Sequence, residues 1–400
     1  MPTLTEVSPL PLMAKRRILL LDASTRQALS ACRALGRAGY SVGVAGYGGL
    51  DVSRYSRYAA TYHRLPDPSG AAEAFRDALA RLIADHEYEA LVASDDATLA
   101  RLASAPPPIP SSPRLGPAFD RLTDKGGLGA LCADAGVYHP ATVASGRIAD
   151  VHGQLERARY PLVVKAERSA VATNDDVRQG KGASVVHSAT AAVETFEALR
   201  SRGLPPLAQE HIEREEKVNV AVVRGGGRSQ LRFAHRSLRD VPPSGGSAAA
   251  LESIDPERFP GAEALTALER VCDAAGYEGL AQAECIVSHD GRLFLIEVNP
   301  RLWASVDFAE RLGLRVVERA VTGVLRLPSP PQGSYQIGRR YHHVPSEWRW
   351  YRLSGPSRKA GIELVRTTRP WDLFEPGNLL DPIPLARYAA AMLRQGAGRR

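Results

Sequence analysis

Leu293-Phe-Leu-Ile-Glu-Val-Asn-Pro-Arg301 places a carboxylate, a carboxamide and a guanidinium at the end of an apolar strand. A strand that is apolar on both faces does not normally carry a residue such as Glu297 without a partner. Ala281-Gln-Ala-Glu-Cys-Ile-Val287 predicts a second strand, and Asp290-Gly291 is a dipeptide typical of two-residue type I′ hairpin turns. A hairpin with that turn places Glu284 directly opposite Glu297.

Two facing carboxylates predict a cation between them, because like charges opposite one another destabilise a sheet and burial makes this worse. Mg²⁺ is held by one or two carboxylates plus substrate phosphates, and Asn299 adds a hard oxygen ligand on the same face as Glu297. The alternative is a register shifted by one residue, or a structural ion pair in which Arg292 or Arg301 neutralises the glutamates. On these residues alone the two interpretations are equally supported.

Composition predicts a globular enzyme with more than one domain, since 400 residues with 44% hydrophobic and 24% charged residues can bury more than one core. The net charge is 51 − 44 = +7, and the basic residues are scattered along the chain. Nucleic acid is therefore not indicated as a partner, whereas anionic small molecules fit a moderately positive field.

Cysteine usage and the N-terminus predict a cytoplasmic protein. The four cysteines lack C-x-x-C spacing and lie in apolar segments, so we expect buried reduced thiols; they are Cys32, Cys132, Cys272 and Cys285. Lys15-Arg-Arg17 precedes an apolar run that is too short for a signal peptide, and no run is long enough to span a membrane.

The first section reads as a doubly wound α/β unit. We predict a strand over 17–21, a helix over 25–37 and a strand over 40–45, which is a β-α-β start. The turn Asp22-Ala-Ser-Thr25 lacks the G-x-G-x-x-G spacing of a dinucleotide site, which weakens a dehydrogenase interpretation. A proline-rich segment over 105–117 closes this section.

The second section contains a phosphate-binding constellation. The strand Tyr160-Pro-Leu-Val-Val-Lys165 ends in a lysine, and Gly180-Lys-Gly-Ala-Ser184 supplies glycines that let backbone N–H groups approach a phosphate. Taken singly, each part is more often a surface lysine or an ordinary glycine hairpin. Their combination favours phosphate binding.

In order and approximate spacing, these segments resemble the ATP-grasp superfamily. They are Asp124-Lys125, Lys165, the glycine loop, Gln209-Glu-His-Ile212 with Glu216, Glu284 and Glu297-Val-Asn-Pro-Arg301. The resemblance covers about residues 14–325 and is nearest to the carboxylate–amine ligases and their carbamoyl-phosphate-synthase-like relatives.

The resemblance implies an α/β (α+β) ATP-grasp fold with an N-terminal Rossmann-like pre-ATP-grasp domain. The implied divisions are an N-terminal α/β domain over 14–120, a subdomain with the lysine strand and glycine-rich lid loop over 121–210, a subdomain with the metal site over 211–326, and a tail packed on the body over 327–400.

The resemblance also implies roles for individual residues. Those implied to bind ATP are Lys125, Lys165, Gly180, Lys181, Gly182, Ser184, Gln209, Glu210, Ile212 and Glu216. Among them, Gln209 is implied to face the adenine amino group, Glu210 and Ile212 to contact the adenine edge through their backbone, and Glu216 to bind the ribose. Those implied to hold Mg²⁺, with Mn²⁺ as an alternative, are Glu284, Glu297 and Asn299. Lys165 and Arg301 are implied to be catalytic, and the candidates for holding the substrate carboxylate are His235, Arg236, Arg239 and Arg301.

Two features depart from the pattern. Gln209 stands where an acid is common, and the long loop from Glu167 to Gln179 has no counterpart in it.

The implied function is ATP-dependent joining of a small-molecule carboxylate to an amine through an acylphosphate, which releases ADP and phosphate and makes an amide or peptide bond. One alternative is a carboxylase or carbamoyl-phosphate-synthase-like enzyme that uses bicarbonate with the same ATP site. Another is a nucleotide-binding module without catalysis. The expected partners are small molecules rather than nucleic acid or membrane, and a homodimer is compatible with the resemblance.

Overall fold

The computed structural model describes residues 15–146, 150–180, 182–243, 245–331, 333–355, 357–369, 371–375 and 380–397. The first part of the chain forms five strands, β1 (Arg17–Leu20), β2 (Ser41–Gly46), β3 (Ala59–Arg64), β4 (Ala90–Val92) and β5 (Ser111–Ser112). They make a parallel sheet in the order β3-β2-β1-β4-β5. The accompanying helices are α1 (Arg26–Arg37), α2 (Ala72–Asp85), α3 (Asp96–Ser104) and α4 (Pro117–Thr123), with a short 3₁₀ helix at Val52–Tyr55. The predicted β-α-β start and Rossmann-like first section are confirmed.

The second part carries a small antiparallel sheet. Its helices are α5 (Lys125–Asp134), α6 (Val151–Arg157) and α7 (Ala189–Ser201), and its strands are β6 (Thr142–Ser145), β7 (Leu162–Ala166), β8 (Ala170–Ala172), β9 (Val177–Gln179), β10 (Ala183–Val186) and β11 (Pro206–Glu210). Four strands pair in the order β10-β7-β11-β6, while β8 and β9 form a separate hairpin. Leu155 of α6 and Phe196 of α7 bury one face of the four-stranded sheet against Val164.

The third part is a seven-stranded sheet in which the site residues lie. Its strands are β12 (Arg214–Gly225), β13 (Arg228–Val241), β14 (Ser247–Ser253), β15 (Gly279–Ser288), β16 (Leu293–Asn299), β17 (Arg340–His343) and β18 (Leu373–Glu375). They pair in the order β16-β15-β12-β13-β14-β17-β18. The remaining helices are α8 (Gly261–Ala275), α9 (Val306–Arg311), α10 (Val316–Val324), α11 (Val344–Leu353), α12 (Arg358–Thr367) and α13 (Ile383–Ala397).

The two faces of this sheet are covered differently. Leu268 and Val271 of α8 pack on one face against Val218 and Val220. Successive side chains of a strand point to opposite faces, so Lys217 and Asn219 lie on the other face. A cavity opens on that second face, whereas the face under α8 belongs to the hydrophobic core.

The hairpin β15–β16 confirms the predicted facing of Glu284 and Glu297, although the turn prediction is wrong. The loop contains three residues rather than two, because the Ser288 amide donates to the Arg292 carbonyl. A bulge at Ile296 then adds one residue to β16, and the two irregularities cancel before the glutamates are reached.

The last part of the chain adds β17 and β18 to the seven-stranded sheet and returns to the first domain. Asp381 is buried and accepts hydrogen bonds from Arg33 Nε at 2.8 Å, Ser56 Oγ at 2.8 Å and the Arg57 amide at 2.9 Å. Trp350 is buried in the tail, whereas Trp348 and Trp371 are exposed. The domain boundaries at residues 120, 210 and 326 stay predictions.

Two expectations about cysteines and membranes can be compared with the fold. All four cysteines are buried and free, as predicted. Across the described ranges, none of the helices combines the length and the apolar character needed to cross a membrane.

Candidate active site

A cavity of about 480 Å³ opens where the three parts of the chain meet. The first part contributes Arg26 and Asp96, the four-stranded sheet contributes Val163 and Lys165, and the remainder comes mainly from the seven-stranded sheet. Many of the predicted site residues line it, namely Lys125, Lys165, Gly180, Gly182, His235, Glu284, Glu297, Asn299 and Arg301.

A row of polar side chains crosses five adjacent strands on the cavity face. The in-register partners are Glu297 on β16, Glu284 on β15, Asn219 on β12, His235 on β13 and Ser253 on β14. Residues that pair directly across a sheet point to the same face, so the row is a continuous polar stripe.

Two lysines neutralise the facing glutamates. Lys125 Nζ lies 3.7 Å from Glu297 Oε2, and Lys217 Nζ lies 2.8 Å from Glu284 Oε2. Lys217 was not predicted as a site residue, although its alternation with Asn219 on β12 places it on the cavity face. The strand pattern alone could have indicated it.

Burial and charge shift the proton affinities of these groups. Burial lowers the pKa of Lys165 to about 8, although the Glu297 carboxylate opposes the shift. Burial acts to raise the pKa of Glu297, but the ammonium groups of Lys125 and Lys165 outweigh it and lower that pKa to about 2. Burial acts to lower the pKa of Lys217, yet the Glu284 carboxylate makes the net shift upward. Glu297 is therefore an anion at neutral pH.

The glutamate pair fits a magnesium ion. Asn299 Nδ2 donates to Gln282 Oε1 at 3.0 Å and to Glu297 Oε1 at 3.2 Å, which leaves its own carbonyl oxygen as a hard donor. Among the described residues no group of three or more His, Cys, Asp or Glu side chains could hold a metal by itself. Two carboxylates and one amide oxygen suit a metal whose other ligands are substrate phosphates and water.

Arg301, which follows β16, connects that strand to the first part of the chain. Its Nε donates to Asp96 Oδ1 at 2.7 Å and its Nη2 to Asp96 Oδ2 at 3.2 Å, which is a two-point carboxylate pair. Asp96 begins α3, and its partnership with Arg301 was not predicted. This pair holds the Arg301 guanidinium at the edge of the cavity.

The glycine loop lies beside Lys165. Ala183 pairs with Lys165 across β10 and β7, and Gly180 and Gly182 line the cavity. Gly182 has a φ of +99°, a conformation that favours glycine. Ser184 pairs with Val164, so its side chain points away from the cavity; Lys181 lies outside the described residues.

The loop from Glu167 to Gln179, which had no counterpart in the sequence pattern, forms the β8–β9 hairpin and packs on α3. The buried guanidinium of Arg101 donates to the carbonyl oxygens of Thr173 and Asp176 and so attaches the hairpin to the first domain.

The end of β11 and the residues after it are those implied to contact adenine. Gln209 pairs with Val163, which lines the cavity. The Glu210 amide donates to the Ala141 carbonyl at 3.0 Å, and Glu210 Oε1 accepts from the Ala141 amide at 2.9 Å, so the Glu210 side chain is already hydrogen-bonded. Ile212 follows β11 in irregular backbone.

Three predicted ligand-binding residues lie elsewhere. Arg236 adjoins His235 on β13 and therefore points to the α8 face, where it pairs with Glu252 at 2.5 Å and with Glu216 at 3.4 Å. Arg239 is buried in an ion pair with Glu347 of α11. Each of these three residues has a charged partner outside the cavity. The proposed site therefore does not include Glu216 as a ribose ligand, or Arg236 and Arg239 as carboxylate ligands.

His235 does line the cavity and is buried, and burial lowers its pKa to about 3. Among the described residues, neither of its ring nitrogens has a hydrogen-bond partner, and the same is true of Trp303 Nε1. Both residues line the same cavity, and within the part of the chain that the structure describes each has a buried ring N–H or nitrogen without a protein partner.

No protein-family model matches the sequence, and no curated protein matches it. Solved structures do match the fold. An N5-carboxyaminoimidazole synthetase from Staphylococcus aureus in complex with ADP has a TM-score of 0.61 at 15% identity, covering 81% of this chain and 80% of that one. A biotin carboxylase from Campylobacter jejuni has a TM-score of 0.60 at 17% identity, covering 81% and 74%. An L-amino acid ligase from Bacillus licheniformis has a TM-score of 0.58 at 14% identity, covering 82% and 78%.

These three proteins are ATP-grasp enzymes. The chain has the ATP-grasp fold. At 14–17% identity the similarity shows the arrangement of domains and strands rather than the reaction, which has to be argued from the site residues.

Proposed function

We propose that the chain is an ATP-dependent ligase that joins a carboxylate to an amine. The observation that carries the proposal is the facing pair Glu284 and Glu297 with Asn299 beside it, at one cavity that also receives Lys165 and Arg301. The two acids suit a bound metal ion, and the clustered cations suit the phosphates of a nucleoside triphosphate.

Glu284, Glu297 and Asn299 would hold Mg²⁺, which supplies positive charge beside the phosphates when it is bound. Lys125 and Lys165 would bind the phosphate oxygens. In the structure, Lys125 pairs with Glu297 and Lys217 pairs with Glu284. When the metal and nucleotide bind, the glutamates would contact the metal instead, and Lys125 would contact phosphate.

The proposed reaction has two steps. A carboxylate oxygen attacks the γ-phosphorus and the bond from that phosphorus to ADP breaks, which gives an acylphosphate. The amine nitrogen then attacks the acyl carbon, phosphate leaves, and the nitrogen loses a proton as the amide forms. Arg301, oriented by Asp96, would neutralise charge on the transferred phosphoryl group. A pKa of about 3 makes His235 a poor base, so we assign it no proton transfer.

The decisive experiment measures ADP release by the full chain with Mg²⁺ and a matrix of amino acids, dipeptides and other carboxylates as paired substrates. We expect ADP release that needs both a carboxylate and an amine, and loss of it in Lys165→Ala. Absence of Mg²⁺-dependent ADP release with every pair would favour a nucleotide-binding module without catalysis.

A bicarbonate-using enzyme is the second candidate, and the structural neighbours favour keeping it. One of them is the biotin carboxylase domain of a 2-oxoglutarate carboxylase from Hydrogenobacter thermophilus, solved with MgADP and bicarbonate at 15% identity. ADP release that requires bicarbonate, and that no other carboxylate supports, would select this function over the first.

A further inference from the structure

A half-buried histidine, His139, links β16 to Gln209, the residue implied to face the adenine amino group. His139 Nδ1 lies 2.7 Å from the carbonyl oxygen of Leu295, two residues before Glu297. Its Nε2 lies 2.9 Å from Nε2 of Gln209. The second N–H of the Gln209 amide points to the carbonyl oxygen of Pro140 at 3.4 Å.

The contacts of His139 determine which of its ring nitrogens carries the proton and how the Gln209 amide is oriented. A carbonyl oxygen only accepts, so His139 Nδ1 must carry the proton that meets Leu295. In a neutral imidazole Nε2 is then a lone-pair acceptor, and Gln209 must turn an N–H toward it. Burial favours the neutral ring, since it lowers the pKa of His139 to about 4. With both N–H groups of Gln209 directed inward, its Oε1 is the atom left for a ligand.

We propose that His139 is a positioning residue for base selection: it holds the Gln209 amide with Oε1 toward the nucleotide, which favours a purine with a 6-amino donor over one with a 6-oxo acceptor. The inference rests on the proposed binding of ATP. It also accounts for the glutamine that stands where an acid is common, because a carboxylate at this position would require a protonated Nε2 and hence a cationic, largely desolvated imidazole.

Equilibrium binding tests the inference without knowledge of the other substrates. The probes are ATP and ITP with Mg²⁺, since ITP carries a 6-oxo group in place of the 6-amino group. We expect the wild-type chain to bind ATP about 10- to 100-fold more tightly than ITP, the range that one misplaced hydrogen bond produces. In His139→Leu the amide of Gln209 can rotate, and the ratio of the two dissociation constants should fall about tenfold.

Two further variants separate positioning from a general structural role. His139→Gln can still donate to Leu295 and accept from Gln209, so it should retain the preference for ATP. Gln209→Glu presents an acceptor in either orientation, so in that background His139→Leu should leave the ratio unchanged. His289→Leu, at the exposed tip of the β15–β16 hairpin, is the matched control.

The outcomes are distinct. A fall in the ATP-to-ITP ratio that His139→Gln rescues supports the inference. Equal weakening of both nucleotides in His139→Leu, or an unchanged ratio, overturns it while the proposed ATP binding stands. If the wild-type chain binds neither nucleotide, the proposed function fails and the inference fails with it.

Discussion

Glu297→Gln should remove metal-dependent ATP turnover while leaving the fold intact. The substitution keeps the side-chain volume and an oxygen for the Asn299 amide, which now donates at 3.2 Å, but it deletes the charge. A neutral amide is a weaker ligand for Mg²⁺ and cannot pair with Lys125. The variant therefore separates the charge of Glu297 from its packing.

The structure sets the expected size of the effect. Charges about 4 Å apart, close to the 3.7 Å of Lys125 and Glu297, attract by about 4 kcal/mol at an effective dielectric of 20. The two side chains are 13% and 26% exposed, so water replaces part of this attraction. We expect a loss of about 1–3 kcal/mol in unfolding free energy, between the values for exposed and buried pairs. The turnover number should fall at least about 100-fold, as when one electrostatic contact to a transition state is lost.

Three measurements check this prediction: thermal unfolding, calorimetric titration of ATP in Mg²⁺ and in EDTA, and ADP release with the substrate pair found by the matrix. Glu257→Gln is the matched control, because it breaks a surface ion pair with Arg232 of 3.1 Å away from the cavity. Mg²⁺-dependent ATP binding and ADP release equal to those of the wild type would refute the assignment of Glu297 as a metal ligand.

Three other perturbations test separate features. Lys217→Met should lower the unfolding free energy by about 1–3 kcal/mol, because Glu284 loses its partner at 2.8 Å. Added Mg²⁺ should raise the melting temperature of this variant more than that of the wild type, and equal increases would contradict the prediction. Burial raises the pKa of Glu310 from 4.5 to about 7, so the folded state binds more protons than the unfolded state between these pH values. The unfolding free energy should therefore fall as pH rises through that window. Denaturant titrations should find a smaller pH dependence in Glu310→Gln. Asp381→Asn should cost about 3–5 kcal/mol because it leaves the buried Arg33 without its counter-charge, and an unchanged melting temperature would argue against this contact as the attachment of the tail.

The facing glutamates could be predicted from the sequence, yet the path of the strand could not. A two-residue turn without a bulge pairs Glu284 with Glu297 just as well as the observed three-residue loop with a bulge at Ile296. Only the observed arrangement directs both Leu295 and Val298 into the core under α8. Every residue from 293 to 296 is apolar, so the sequence contains no pattern that distinguishes the two registers.

Glu216, Arg236 and Lys217 differ from the predicted site because of the strand face on which each side chain lies. The resemblance implied Glu216, and the guanidinium group suggested Arg236, but the sheet directs both to the α8 face and directs Lys217 into the cavity. An irregularity between Arg214 and Glu216 at the start of β12 shifts the pairing with β15 at this point. Side chains alternate along β12, so the cavity position of Asn219 puts Lys217 on the same face and Glu216 on the opposite one.

The row of five polar side chains also defines a distance across the sheet. Neighbouring strands lie about 4.8 Å apart, so Glu284 and His235, two strands apart, are separated by about 10 Å along the sheet. An extended peptide advances about 3.3–3.6 Å per residue, so this span corresponds to about three residues. A ligand that reaches from the glutamate pair to His235 must span this length, so under the proposed function dipeptides and tripeptides are the amine substrates to test first.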